Sequence, residues 1–507
     1  MTKQQTVVAA GHALTAEAAA EILGDGGNAF DAAIAGMCMT FVAEPVFSSL
    51  GGGGFLMARQ ASRTDAQLFD FFVETPLRRR ADDEVSFFPI EADFGPARQE
   101  FHIGFGSSAT PGVAQGLFAI HEAFGRLPMK RLVEPAAREA KRGFPVTAFQ
   151  AYLFTVIAPI LKNSAGTRAI FAPDGDLLKE GEVFRNPALA ETLEWLAEDG
   201  PRLFTEGDIG QAIAAQCRNG GGHLTPDDLR RYAVLVRDPL TWRIGEASVA
   251  LNPPPSAGGA LIAYGLAFLR AYKALGKPID TAALGAAMMA TNAARSSHGL
   301  ELGTLLERGF LNKEIEAAAC APPAYRGTTH LSVIDGEGNT AAVTLSNGEG
   351  NGFVIEPHGF MLNNMLGEED LVEGNSGSWR ENVRMSSMMA PTIIVEDDGT
   401  VTALGSGGSN RIRTAVLQVA VNLLEHGKDV PDAVDAPRLH VERDGTVSFE
   451  PGFSEEDQAR LRALSEKTKA WPERNLFFGG VHVARWHERR GAEGAGDSRR
   501  QGVAIVD

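Results

Sequence analysis

The chain has 507 residues, 44% hydrophobic and 22% charged, which is ordinary globular composition and ample for a large core. A formal net charge of −17 argues against nucleic acid or an anionic membrane as partner. Three cysteines, Cys38, Cys217 and Cys320, lie far apart without CxxC spacing, so free buried thiols in a reducing compartment are expected rather than disulfides.

Residues 1–6 lead directly into Val7-Val8-Ala9-Ala10, with no secretory apolar region standing apart. The longest apolar run, residues 30–43, contains Asp31 and is too short to span a bilayer. A cytoplasmic protein is expected. Residues 15–23 read as a helix capped by Thr15 and stopped by Gly26-Gly27. Gly26-Gly27-Asn28-Ala29-Phe30-Asp31-Ala32-Ala33 then opens a second helix running to about Ala43. It is apolar on nearly all faces and should be central and buried. Leu50-Gly51-Gly52-Gly53-Gly54-Phe55 lets backbone pass close to another segment. It follows a helix and has the wrong spacing for a dinucleotide fingerprint. Residues 69–76 read as a strand.

Thr225-Pro226-Asp227-Asp228 carries the signals of a helix start: a Thr cap, Pro at the first position and carboxylates in the first turn. Residues 252–259 (NPPPSAGG) read as a stiff piece ending at a helix N-terminus, and two long helices follow, near 260–275 and 280–300. Residues 303–326 hold charge, two prolines and no sustained pattern; they read as a mobile segment.

Arg326-Gly327-Thr328-Thr329-His330-Leu331-Ser332-Val333-Ile334-Asp335 then starts a strand, and residues 340–345 return beside it after a Gly-rich turn. If the Gly327–Thr328 bond were cut, Thr328 would carry a hydroxyl and a free α-amine. Such an amine titrates near about 7.7–8.0, so it can take the hydroxyl proton at neutral pH. Residues 390–404 form a hairpin turning at Asp398-Gly399. Residues 405–412 (GSGGSNRI) enter a helix that runs to about Glu425. The overall pattern suits two antiparallel sheets packed face to face with helices outside. No internal repeat is present.

The TTH-x-SV segment at Thr328, the GGNAFDAA and LGGGGF stretches, residues 109–116, 126–137 and 252–259, Ser386-Ser387-Met388 and the GSGGS turn together resemble the γ-glutamyltranspeptidase family from about residue 8 to the C-terminus. The resemblance implies an α+β, four-layer αββα sandwich, the N-terminal-nucleophile hydrolase fold. It implies self-cleavage between Gly327 and Thr328, giving a large subunit, 1–327, and a small one, 328–507, that remain one unit. Thr328 would be the nucleophile, Ser346 the hydroxyl that assists it, and the backbone N–H groups of Gly408 and Ser409 the oxyanion donors. Asn347, Ser386 and Ser387 would contact substrate.

Two departures concern recognition. The family's substrate-clamping Arg sits in a DFRE segment, here Asp70-Phe71-Phe72-Val73-Glu74. An apolar side chain cannot replace a guanidinium fork on a carboxylate, and Arg78, Arg79 and Arg80 are the nearest candidates in sequence. The family's NN(Q/E)MDD segment is here Asn363-Asn364-Met365-Leu366-Gly367-Glu368, leaving Met365 and Glu368 where the α-amino group would be held. No GxSxG, HExxH, P-loop or zinc spacing occurs, and the eleven histidines form no ligand cluster. His330 is expected on the strand face opposite Thr328, in a structural role.

The reading is therefore a self-processing amidohydrolase or acyltransferase acting on γ-glutamyl or similar small acyl amides. An acylase for a non-glutamyl amide is the alternative, and an inactive binding protein the further one. No cofactor or metal is implied. The expected partners are a small-molecule amide and the protein's own two subunits; a homodimer of such heterodimers is compatible with this.

Overall fold

The computed structural model describes residues 5–93, 98–298, 327–367 and 379–507. Cys320, Glu368 and the 303–326 segment lie outside these residues. The principal strands, in chain order, are β1 (Val7–Ala10), β2 (Gly53–Arg59), β3 (Gln67–Phe71), β4 (Leu235–Arg237), β5 (Leu240–Ile244), β6 (Ala247–Leu251), β7 (Thr329–Ile334), β8 (Thr340–Ser346), β9 (Thr392–Glu396), β10 (Val401–Gly407), β11 (Gly480–His487), β12 (Gly491–Ala495) and β13 (Val503–Val506). A seven-stranded sheet runs β13-β1-β7-β8-β2-β3-β4, and a six-stranded sheet runs β12-β11-β10-β9-β6-β5. Every pairing in both is antiparallel.

The sheets pack face to face. Helices α1 (Ala13–Gly24) and α2 (Ala29–Ala43) cover the outer face of the first; α3 (Ala257–Ala274) and α5 (Arg411–Leu424) cover the second, with α4 (Thr281–His298) against α3. This is the expected αββα sandwich. Period-two alternation assigns the faces. In β7, Leu331 and Val333 join the core under α2, whereas Ile334 joins the core between the sheets. In β2, Leu56 and Ala58 go to the first core, Phe55 and Met57 to the second.

All residues of α2 are buried, as its uniformly apolar sequence requires. Asn28 caps it: its side chain accepts from the N–H groups of Phe30 and Asp31, while Asp31 accepts from the Asn28 N–H. The GGNAFDAA stretch is therefore a helix start. The expected cap of α1 is corrected. His12, not Thr15, holds that end, its Nδ1 accepting from the Leu14 N–H at 3.1 Å. Thr15 lies inside the helix and donates to Glu44 Oε1 at 2.7 Å, because the buried carboxylate at the end of α2 needs a donor. The Thr225 cap forms as expected. β3 ends at Phe71, short of the expected 76; beyond it Glu74 bridges Thr110 and Arg384. Cys38 and Cys217 are free and buried. Among the described residues no helix is long and apolar enough to cross a membrane.

Candidate active site

Thr328 lies one residue before β7 and Ser346 is the last residue of β8. The β7–β8 register pairs Thr329 with Leu345, so the next step along brings Thr328 opposite Ser346. The Thr328 hydroxyl points to Ser346 Oγ at 3.5 Å. Ser346 Oγ also accepts from the Gly348 N–H at 3.1 Å. With both lone pairs engaged, it donates its own proton to the carbonyl oxygen of Gly327 at 2.7 Å. One hydroxyl thus connects the candidate nucleophile to the carbonyl of the bond that would break. Thr328 lies against the second sheet.

There the opposing strand is β10, which has no side chain at two alternate positions. A Cβ on Gly407 would lie 2.0 Å from the Thr328 carbonyl oxygen, and one on Gly405 would lie 2.3 Å from the His330 ring. His330 is thus on the same face as Thr328, correcting the expected opposite placement: residues two apart in a strand share a face. Its role is structural, as expected. Nδ1 meets Thr344 Oγ1 at 2.8 Å and Nε2 meets Ser332 Oγ at 2.9 Å. Burial holds its pKa well below the ordinary value, so the ring is neutral.

β10 ends in a turn at Gly408 (φ +122°) and Ser409 (φ +54°) before α5. The N–H groups of these two residues donate to no backbone carbonyl among the described residues. Ser409 is buried, and its Oγ has no partner among the described residues. Adjacent free donors beside Thr328 suit an oxyanion. The left-handed φ at Ser409 is uncommon for a side chain of any size.

Two opposite charges flank the Thr328–Thr329 pair. The Arg500 guanidinium donates to the Thr328 carbonyl oxygen at 3.1 Å and stacks over Phe47. Burial pulls its pKa down to about 10. Glu44 Oε2 accepts from the Thr329 hydroxyl, and burial raises its pKa. A small, narrow cleft lies beside Gly327, walled by Phe47, Leu153, Ile157 and Phe477, with Glu349, Gly408, Arg411 and Arg500 at its polar side.

Asn347 is buried next to Ser346, and its Oδ1 has no hydrogen-bond partner among the described residues. Ser386 and Ser387 precede β9 at the sheet end where β10 delivers Gly408. Ser387 holds backbone: its carbonyl accepts from the Ala257 and Gly258 N–H groups at the start of α3, and its Oγ accepts from the Met389 N–H. Met365 is packed in the core between the sheets. Asn363 and Asn364 hold backbone, the latter accepting from the Glu349 N–H at 2.9 Å.

Phe72 stacks on Phe55, with ring centroids 5.4 Å apart. Arg78 and Arg79 are exposed, and Arg80 is turned to Glu84 and the Arg218 carbonyl, so none enters the site. The guanidinium beside this strand is that of Arg384, which the sequence reading did not single out. It is committed to Asp70, Glu74, Tyr232 and the Ala233 carbonyl.

Glu349 and Arg500 were also missed. Glu349 is buried, and its Oε1 accepts from the Gly327 N–H at 3.0 Å. The only sequence signal for it was a single acidic residue among the glycines of residues 346–352. Arg500 directly follows Arg499, which is instead buried in a network with Glu450 and Asp497. Among the described residues no group of three His, Cys, Asp or Glu is placed to hold a metal.

An αββα sandwich with a Thr at the head of a central strand, facing a Gly-Ser turn across the inter-sheet space, defines the N-terminal-nucleophile class of hydrolases. Within that class, residues 15–507 match the family model described as Gamma-glutamyltranspeptidase, and the chain belongs to that family. It is 31% identical to the glutathione hydrolase proenzyme of Escherichia coli (strain K12) over 92% of this chain and 86% of that protein. It is 28% identical to the acylase ACY 1 proenzyme of Pseudomonas sp. (strain V22) over 100% of this chain and 94% of that one. The crystal structure of cephalosporin acylase from Bacillus halodurans superposes with a TM-score of 0.84 at 23% identity, covering 99% of this chain and 96% of that one. Like its family, the chain is a self-processing amidohydrolase or acyltransferase.

Proposed function

We propose that Thr328 is the nucleophile both of self-cleavage and of turnover on a small amide. The observation that carries this is the Thr328–Ser346–Gly327 connection. The hydroxyl attacks the Gly327 carbonyl and gives up its proton through Ser346, whose hydroxyl also donates to the carbonyl oxygen; the C–N bond to Thr328 then breaks as its nitrogen takes up that proton. The product is an ester on Thr328 Oγ and a free α-amine. Water resolves the ester, and the amine then serves as base for external substrates. The two pieces are residues 1–327 and 328–507. Gly408 and Ser409 supply the oxyanion donors in turnover, and Asn347, Ser386 and Ser387 the substrate contacts. The buried free thiols Cys38 and Cys217 are compatible with a reducing compartment, and we place the protein in the cytoplasm.

A γ-glutamyl amide is one candidate substrate, in keeping with the glutathione hydrolases. The acylase reading is favoured by the sequence at Phe72 and Met365, apolar residues at positions where the resemblance implies groups that clamp a zwitterion. Intact mass of the purified protein beside Thr328→Ala tests the shared core of both readings. Two fragments from the wild type, meeting between Gly327 and Thr328, with the variant uncut, are expected. A wild type that stays whole, or a variant that still cuts at this bond, overturns it.

A further inference from the structure

The bond before Thr328 lies at the nucleophile that a substrate would meet. Self-cleavage first forms an ester between the Gly327 acyl carbon and Thr328 Oγ; the Thr328 nitrogen leaves with the bonding pair and gains the proton lost by the hydroxyl. An external amide, R–CO–NHR′, forms the same ester with R–CO in place of the chain ending at Gly327, and R′NH2 leaves with that proton. In both, water adds to the ester carbon, the carboxylic acid departs and Oγ regains a proton. The processing ester is therefore an acyl-enzyme, and the groups that touch Gly327 describe the acyl subsite.

Those groups are specific. The carbon next to the carbonyl has no room for an L-configured branch. A Cβ there would lie 2.5 Å from the Gly348 carbonyl oxygen and 2.7 Å from that of Val46, both backbone atoms. One atom further out, the Gly327 N–H donates to Glu349 Oε1 at 3.0 Å. Glu349 is 3% exposed, and its own N–H is fixed by Asn364 Oδ1. Beyond it lies the cleft walled by Phe47, Leu153, Ile157 and Phe477.

We propose that the acyl subsite selects N-acylglycyl groups: an unbranched methylene next to the reacting carbonyl, then an N–H donor held by Glu349, then an apolar acyl part lying in the cleft. The proposal rests on Thr328 as nucleophile and adds the acyl class. A γ-glutamyl group meets the first condition and lacks the N–H of the second.

The test uses the mature wild-type enzyme and three 4-nitroanilides, of N-acetylglycine, butyric acid and N-acetyl-L-alanine. The N-acetylglycyl compound should exceed the N-acetyl-L-alanyl one in kcat/KM by at least about 30-fold, and the butyryl one by at least about tenfold. In Glu349→Leu the N-acetylglycyl-to-butyryl ratio should fall toward one. If that variant is not processed, the wild type still decides. N-acetylglycine should then inhibit at a concentration at least about tenfold below N-acetyl-L-alanine and butyrate. Rates or inhibition constants within threefold of each other across the three acyl groups overturn the proposal, as does an unchanged ratio in Glu349→Leu. A Thr328→Ala protein that still cuts itself would instead overturn the nucleophile assignment beneath it.

Discussion

Ser346 has a hydroxyl with two donors to accept from and one carbonyl to donate to, and it satisfies all three. Its removal takes a donor from the oxygen on which charge develops. Ser346→Ala should therefore slow self-cleavage by about 10²–10³-fold, the usual cost of one such donor. Ser346→Thr, which keeps the hydroxyl, should restore most of the rate in a timed gel assay. An unslowed Ala variant would remove Ser346 from the chemistry. Ser409 offers a test of opposite sign. Its φ of +54° suits glycine better than a residue with a side chain. Ser409→Gly should raise stability by about 1 kcal/mol in urea unfolding, with the cleavage site unchanged.

At this scale the sequence was most legible where chemistry follows chain order, as at Thr328, Ser346 and Gly408. It was least legible where a contact joins segments without a shared pattern. Glu349 reaches Gly327 only because residues 346–352 fold back on the strand they leave, and Arg384 reaches Asp70 from 314 residues away.

Among elements, the approach of β10 to β7 decides whether the site forms. The two sheets can touch at Thr328 because position 407 has no Cβ. Gly407→Ala forces the strands apart against two packed cores. It should cost about 2 kcal/mol and leave the precursor uncut, read by thermal unfolding and gel respectively. A variant that folds and cuts normally would mean the sheets slide freely here. Helices read well from sequence where burial and capping agree, as in α2 with Asn28 and in the Thr225 start. The α1 cap did not, because a long-range need prevailed over local propensity: Thr15 is drawn inward to Glu44, and His12 takes the end.

For the whole molecule, acid is the informative variable. His12, His223 and His482 are each pushed down to about 4, burial being the leading cause. Each Nδ1 accepts a backbone N–H, from Leu14, Arg80 and Asp497 respectively. The unfolded chain binds protons at these rings below about pH 6.5, and the folded chain does not until about 4. Stability should thus fall as pH drops through that window, by up to about 1.4 kcal/mol per pH unit for each ring. Asp497 adds a second stage. Burial pushes its carboxyl up, but Arg438 and Arg499 outweigh this and hold it at about 2. Its contribution is present above about pH 4 and is lost as pH falls toward 2. Urea midpoints at pH 7.5, 5.5 and 4.5 check the first stage; equal midpoints at 7.5 and 5.5 would contradict it. The layer architecture was legible in the order of helices and strands. The strand order was not, since β13, β1 and β7 come from the end, the beginning and the middle of the chain.

That mixed order bears on what happens once the chain is in two pieces. A cut before Thr328 leaves β7 and β8 of one fragment clasped between β1 and β2 of the other, and β9 of one hydrogen-bonded to β6 of the other. Neither fragment then owns a complete sheet. The uncut chain can refold alone, but the cut protein, once unfolded, must find its other half in solution. Recovery would depend on concentration, and the working form would persist through the height of its unfolding barrier rather than the depth of its energy minimum. Processing would then be a one-way step in folding as well as in chemistry.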